Sequence, residues 1–367
     1  MENITVTKAS MPPYEEFIKA IEPLWQSKWL TNMGMYHKNL EEKLKEYLDV
    51  SYVSLMVNGH MALEMTLQAM EFPENGEVIT TPFTFISTTH AITRNHLIPV
   101  FCDIKSDDYT MDESKIESLI TKKTVAIVPV HVYGNVCNIE KIREIADRHG
   151  LKVIYDACHA FGESYKGKSV AKFGDASIYS FHATKVYNTV EGGAVAFSNE
   201  DLYEKLYNLK NFGIQSEEDI VGIGANAKMN ELCAIMGLCN LPYTNDNIKK
   251  RQTVAARYLE QLQDSRIQLP AYKSGISYNY GYFPVLFENN KMRNLVYSQL
   301  KQKGIYTRKY FFPLTIDAEC YREMHFKGEV ENARNISDRI LVLPIYPELT
   351  EAEQDYIIEE LGQIIRE

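Results

Sequence analysis

The chain has 367 residues, of which 39 are Lys or Arg and 49 are Asp or Glu, giving a formal net charge of −10. With 45% hydrophobic and 24% charged residues, the composition is that of a globular protein of about two domains, which excludes a disordered or fibrous chain. The acidic balance also argues against nucleic acid or an anionic membrane held by bulk charge, while leaving room for an anionic small molecule in a local pocket.

The first residues, Met1 to Thr5, carry no positive cluster ahead of an apolar run, so no secretory leader is expected. No stretch approaches the roughly 18 apolar residues of a membrane span. Asn39 to Leu48 has the period of an amphipathic helix. Apolar runs at 51–57, 77–81, 98–104, 124–132, 152–155, 176–181 and 193–197 are strand candidates. Helix-period intervals separate the earlier ones, most clearly Asn138 to His149. Near-continuous apolar strands alternating with helices imply an α/β fold with a mostly parallel sheet covered on both faces. The last two strands are joined by a loop with no helix pattern, so that part of the sheet is expected to be antiparallel or irregular.

The pattern changes after Leu241. A polar helix runs from about residue 245 to 262, followed by a strand at 280–287, a helix at 291–303 and a strand at 305–311. A last helix opens on Thr350-Glu351-Ala352-Glu353, the spacing of a capping box. The expected division is a large domain over 1–245, including the N-terminal segment, and a small α/β domain over 246–367. The six cysteines (Cys102, Cys137, Cys158, Cys233, Cys239 and Cys320) include no Cys-x-x-Cys pair. They suit neither a disulfide scaffold nor structural zinc, so no metal is expected, and reduced thiols point to the cytoplasm.

Asp156 and Lys185 carry the strongest chemical signal. Asp156 ends one apolar strand, Lys185 follows another, and they stand 29 residues apart. In an open α/β sheet the carboxyl ends of the strands face the ligand crevice, so both can reach one site. A carboxylate that keeps a pyridine nitrogen protonated and a lysine that forms a Schiff base are what pyridoxal 5′-phosphate requires. Taken singly, Asp156 also reads as a helix cap and Lys185 as a solvated loop residue. The turn Asn58-Gly59-His60-Met61 follows a strand and opens a helix, so its amides and the helix dipole can cradle a phosphate.

The run Ser180-Phe181-His182-Ala183-Thr184-Lys185, continued by Asn188 to Gly193, resembles the signature of the DegT/DnrJ/EryC1/StrS family. Five further blocks match in order: Trp29 to Gly34, Thr81 to Phe85, His131 to Gly134, Gly224 to Glu231 and Leu343 to Pro347. The resemblance implies fold type I, aspartate-aminotransferase-like, and pyridoxal-phosphate-dependent amination of nucleotide sugars. It implies that Lys185 is the Schiff-base lysine, that Asp156 partners the pyridinium nitrogen, and that His159 contacts the ring hydroxyl. Phe85 would stack on the ring, and Ser180, Gly59, His60 and Met61 would hold the phosphate. Asn226 would reach the phosphate of the neighbouring subunit in a homodimer with shared active sites. His60 stands where Thr or Ser is common, and Lys228 where Arg is common.

Glutamate is the expected amino donor and a dTDP-linked 4-keto-6-deoxyglucose the expected acceptor, with Thr31, Arg308 and Tyr310 as candidate substrate contacts. A 3-keto-sugar aminotransferase and a cofactor-binding regulator without turnover are the competing readings. A dehydratase of this family would carry His at the position of Lys185.

Overall fold

The computed structural model of the chain describes residues 3–324 and 326–366. The seven apolar runs form one seven-stranded sheet in the spatial order Tyr52–Met56, Gly193–Phe197, Ala176–Ser180, Lys152–Asp156, Thr124–Ile127, Glu77–Thr80, Ile98–Phe101. Neighbours from Ala176–Ser180 to Ile98–Phe101 pair in parallel. Gly193–Phe197 alone runs against both its neighbours, with Ser180 opposite Gly193 and Met56 opposite Gly193 on the other side. The physical reason is the connection: residues 181–192 contain no helix, and a return without a crossover can only be antiparallel. Their loop is thereby left at the carboxyl end of Ala176–Ser180, the same end as Asp156.

Helices cover both faces, which is why these strands are buried at nearly every position rather than alternately, and mostly apolar. Ile139–His149 shows how they are specified. Asn138 caps it by accepting from the Lys141 N–H at 3.2 Å. Ile139, Ile142, Ile145 and Ala146 lie buried along one face, and Gly150 ends it at a φ of 65°.

The C-terminal part has its own core. Phe283–Phe287 lies between Ile267–Gln268 and Ile340–Leu343, antiparallel to both. The helices Thr244–Gln261, Asn290–Gln302 and Glu351–Arg366 supply Val254, Tyr258, Val296, Leu300, Ile357 and Leu361 to that core. Thr350 and Glu353 make the capping box, with N–H bonds of 2.8 and 3.2 Å in the two directions. The strand expected at 305–311 does not form. Ile305 bridges only Ile4, and Arg308 only Val342. The third strand of this sheet is Ile340–Leu343, directly after the helix Glu331–Arg339. Ile4 is buried in this core, so the first residues described pack with the C-terminal part.

A shared apolar cluster ties the two parts together. Phe83, Tyr109, Val130 and Tyr133 pack against Leu286, Phe311, Leu314 and Val342. It seats the segment carrying Arg308, Tyr310 and Phe311 beside the carboxyl ends of the large sheet.

Candidate active site

A cavity of about 360 Å³ opens at those carboxyl ends. Its floor comes from the strand ends themselves. Asp156 ends Lys152–Asp156 and is buried, its Oδ2 accepting from the Thr88 hydroxyl at 2.8 Å and its Oδ1 from the Cys158 N–H at 3.2 Å. Those bonds fix the carboxylate while leaving it an acceptor toward the cavity. Lys185 extends from the loop between the hairpin strands, and its Nζ lies 3.0 Å from the Tyr282 hydroxyl. Burial works against its charge, but the hydrogen bond to the Tyr282 hydroxyl and the nearby Asp156 carboxylate outweigh burial, and the ammonium is held above its ordinary range. Burial pushes the Cys158 thiol well up, so it is no thiolate.

His159 sits between Tyr282, 4.4 Å away by ring centroid, and Phe311, parallel at 5.9 Å. Burial, with Lys185 nearby, pushes its imidazole well below its ordinary range, so the ring is neutral. The Tyr133 N–H donates to Nδ1 at 3.1 Å, which places the ring proton on Nε2.

The turn after Tyr52–Met56 closes the opposite wall. Gly59 and His60 line the cavity and open the helix Gly59–Ala69. A Cβ on Gly59 would stand 2.8 Å from the Cβ of Ser180, so glycine is what lets the helix start approach that serine. Met61 does not line the cavity, and its N–H is bonded to the Asn58 side chain at 2.8 Å. Both ring nitrogens of His60 are engaged, Nδ1 with Ser87 at 2.8 Å and Nε2 with Glu64 at 3.1 Å. The backbone of His60, more than its ring, is therefore what the cavity offers an anion. Phe85, Arg308 and Tyr310 also line the cavity, Phe85 with more than half its surface exposed.

Nine of the twelve residues picked out by sequence thus surround one cavity: Gly59, His60, Phe85, Asp156, His159, Ser180, Lys185, Arg308 and Tyr310. Met61, Thr31 and Asn226 lie outside it, the last two exposed. Lys228 is buried and donates to the Asn211 side chain at 2.8 Å, with burial and Lys210 lowering its pKa. Sequence reasoning missed Tyr282, Ser87, Cys158 and Phe311. The one sequence signal for Tyr282 is the tyrosine cluster Tyr278, Tyr280, Tyr282 ahead of a strand. Among the described residues, no helix is long and apolar enough to cross a membrane, and no cluster of His, Cys, Asp and Glu could hold a metal ion.

Comparison with known proteins bears directly on this arrangement. The model of the DegT/DnrJ/EryC1/StrS aminotransferase family matches residues 13–362. A dTDP-4-amino-4,6-dideoxy-D-glucose transaminase of Shigella dysenteriae is 41% identical over 98% of this chain and 99% of its own. The crystal structure of DesI in the presence of its TDP-sugar product superposes with a TM-score of 0.92 at 30% identity, covering 100% of this chain and 93% of that one. The PLP form of Spr1654 of Streptococcus pneumoniae, a putative sugar aminotransferase, does so with a TM-score of 0.93 at 25% identity, covering 99% of each chain.

Proposed function

The chain belongs to the DegT/DnrJ/EryC1/StrS aminotransferase family, and from that premise we propose that it moves an amino group from glutamate to a dTDP-linked 4-keto-6-deoxyglucose, giving a 4-amino-4,6-dideoxy sugar nucleotide. The observation that carries this reading is the convergence of Lys185 and Asp156 in one cavity beside a helix N-terminus. The 41% identity to transaminases of Shigella dysenteriae and Escherichia coli named for that sugar supports the choice of substrate.

The cofactor of this family is pyridoxal 5′-phosphate, and the donor set fits it: an amine, an acceptor carboxylate, a neutral imidazole with its proton on Nε2, and a glycine-made space between Gly59 and Ser180. When bound, the cofactor supplies an electron sink for the substrate carbon that loses a proton. The Gly59 and His60 amides and the Ser180 hydroxyl bind its phosphate. Asp156 holds a proton at the ring nitrogen, and His159 donates from Nε2 to the ring hydroxyl. Phe85 covers the ring face. Lys185 would take the proton from Cα of the amino acid through its Nζ and hand it on to the bound cofactor within the same half-reaction, and would carry a proton in the opposite direction to the sugar carbon when the keto sugar is the partner. Arg308 and Tyr310 bind the sugar nucleotide's diphosphate or sugar, and Thr31 approaches it from the N-terminal loop.

The working unit is a homodimer in the cytoplasm, in which Asn226 of the partner subunit reaches the phosphate. The exposure of Met11, Tyr14, Trp25, Trp29, Leu30 and Ile223 supports it, because large apolar side chains left uncovered suit an interface. Two cores support a division near residue 245 into a large domain over 1–245 and a smaller one over 246–367, with Ile4 of the large domain's N-terminal segment packing into the smaller core.

The test incubates purified protein with pyridoxal phosphate, glutamate and dTDP-4-keto-6-deoxyglucose, then follows 2-oxoglutarate and the sugar product by NMR. An amine at sugar C4 is expected. Amination only of a 3-keto sugar, or cofactor binding without any amine product, would overturn the assignment.

A further inference from the structure

The Lys185 amine has a hydrogen-bond partner to which the reaction above gives no role. The Tyr282 hydroxyl lies 3.0 Å from Nζ and lines the same cavity. It comes from the C-terminal part of the chain, just ahead of Phe283–Phe287, yet the large sheet fixes where it stands. Asn279 donates from Nδ2 to the carbonyls of His159 (2.8 Å) and Phe161 (3.0 Å), and from its backbone to Glu163 Oε1 (3.1 Å). Its Oδ1 accepts from the Gly281 N–H at 2.9 Å. Four hydrogen bonds therefore staple residues 279–281 together and to the segment that carries His159. The Tyr282 ring is then flanked by His159 at 4.4 Å and Tyr310 at 6.2 Å. Few rotamers remain open to it.

A phenol can accept or donate, whereas an ionised carboxylate only accepts. With three protons on Nζ, one N–H points to the Tyr282 oxygen. With Nζ neutral, its lone pair accepts from the Tyr282 O–H. Asp156 cannot make that exchange, and the Cys158 thiol makes it only weakly.

We propose that Tyr282 is a second catalytic residue, whose hydroxyl keeps the Lys185 amine in place through both of its protonation states. In the step concerned, the Cα–H bond of the amino-acid donor breaks and an N–H bond forms at Lys185 Nζ. The electron pair passes to the bound cofactor, and Tyr282 ends with the proton it began with. The inference rests on Lys185 being the lysine that takes the cofactor.

The titratable and charged groups that line the cavity with Nζ are Tyr282, Tyr310 and Arg308 from the C-terminal part, His60, Asp156, Cys158 and His159 from the large domain, and His182 and Glu191 from its own loop, with Tyr282, Cys158 and Asp156 acting on it most directly. Tyr282→Phe removes one oxygen from this set and leaves the ring packing intact. In the cofactor-free protein, the pH dependence of Lys185 acylation by an amine-reactive reagent, read by peptide mass spectrometry, is expected to shift its midpoint down by about one pH unit. In the loaded protein, the glutamate half-reaction is expected to slow by about 10- to 100-fold with little change in KM. Asn279→Ala, which unpins Tyr282 and keeps its hydroxyl, is expected to shift both quantities in the same direction by less. The acylation midpoint is readable in either variant whether or not cofactor loads. A Y282F protein that leaves either the midpoint or the half-reaction rate at the wild-type value overturns this inference alone. A wild-type protein that takes up no cofactor at Lys185 overturns the parent reading with it.

Discussion

Gly193 gives the account a test that touches no catalytic group. It lies in the antiparallel strand opposite Met56, and its missing side chain faces the turn that opens the phosphate-binding helix. A Cβ there would stand 2.4 Å from the Asn58 carbonyl carbon and 2.5 Å from the Gly59 nitrogen. That is about 1 Å short of ordinary van der Waals contact. Both neighbours are backbone, so no rotamer change relieves the overlap and the turn itself must move. Overpacking of this kind costs about 1–3 kcal/mol, and a backbone clash belongs at the upper end. The moving atom carries an amide assigned to the phosphate, and losing one hydrogen bond to a charged group is worth about 1.5–3 kcal/mol. Gly193→Ala is therefore expected to weaken cofactor binding by roughly 10- to 100-fold. Urea denaturation of the cofactor-free protein and an absorbance titration with pyridoxal phosphate measure the two effects. A G193A protein with wild-type stability and wild-type affinity would refute the reasoning.

Two further outcomes follow from buried carboxyls. Asp156→Asn keeps the Thr88 contact but cannot hold a proton at the ring nitrogen by charge, so the variant is expected to bind cofactor and to transaminate about a hundredfold more slowly or worse. Single-turnover kinetics would expose the error if the rate stayed within a few-fold of wild type. Glu163 is buried, and burial pushes its carboxyl well above the ordinary range, against one backbone bond from Asn279. A carboxyl raised on folding stabilises fully below its unfolded pKa of about 4.3 and loses that contribution as pH rises. Glu163→Gln should remove this slope, so its melting temperature gains on wild type between pH 5 and pH 8. Parallel melting curves across that range would count against the assignment.

Much of the large sheet was legible in the sequence, because strands buried on both faces must be apolar throughout, and runs such as Gly193–Phe197 carry that mark alone. Asp156 and Lys185 were legible for a related reason: Asp156 ends such a run and Lys185 lies in the short loop that follows another. The strand expected at 305–311 failed because Ile305 packs into the C-terminal core and Tyr310 and Phe311 into the cluster joining the two parts, while the edge of Phe283–Phe287 is taken by Ile340–Leu343. That true strand hides behind the helix Glu331–Arg339, with only four residues to announce it. Tyr282 was invisible because its role depends on docking the C-terminal part onto the strand ends, through Asn279, across about a hundred residues of sequence. Met61 stands apart from the other residues of the turn because Asn58 takes its amide, a local capping effect that the turn motif does not display.

The central claim is that Lys185 is the amine that takes the cofactor. Borohydride reduction of the protein loaded with pyridoxal phosphate, followed by peptide mass spectrometry, tests it most directly. The account predicts a single modified lysine, Lys185, a visible absorbance band that glutamate bleaches before reduction, and neither signal in Lys185→Ala. Label on a different lysine, or a band that survives in K185A, would contradict it.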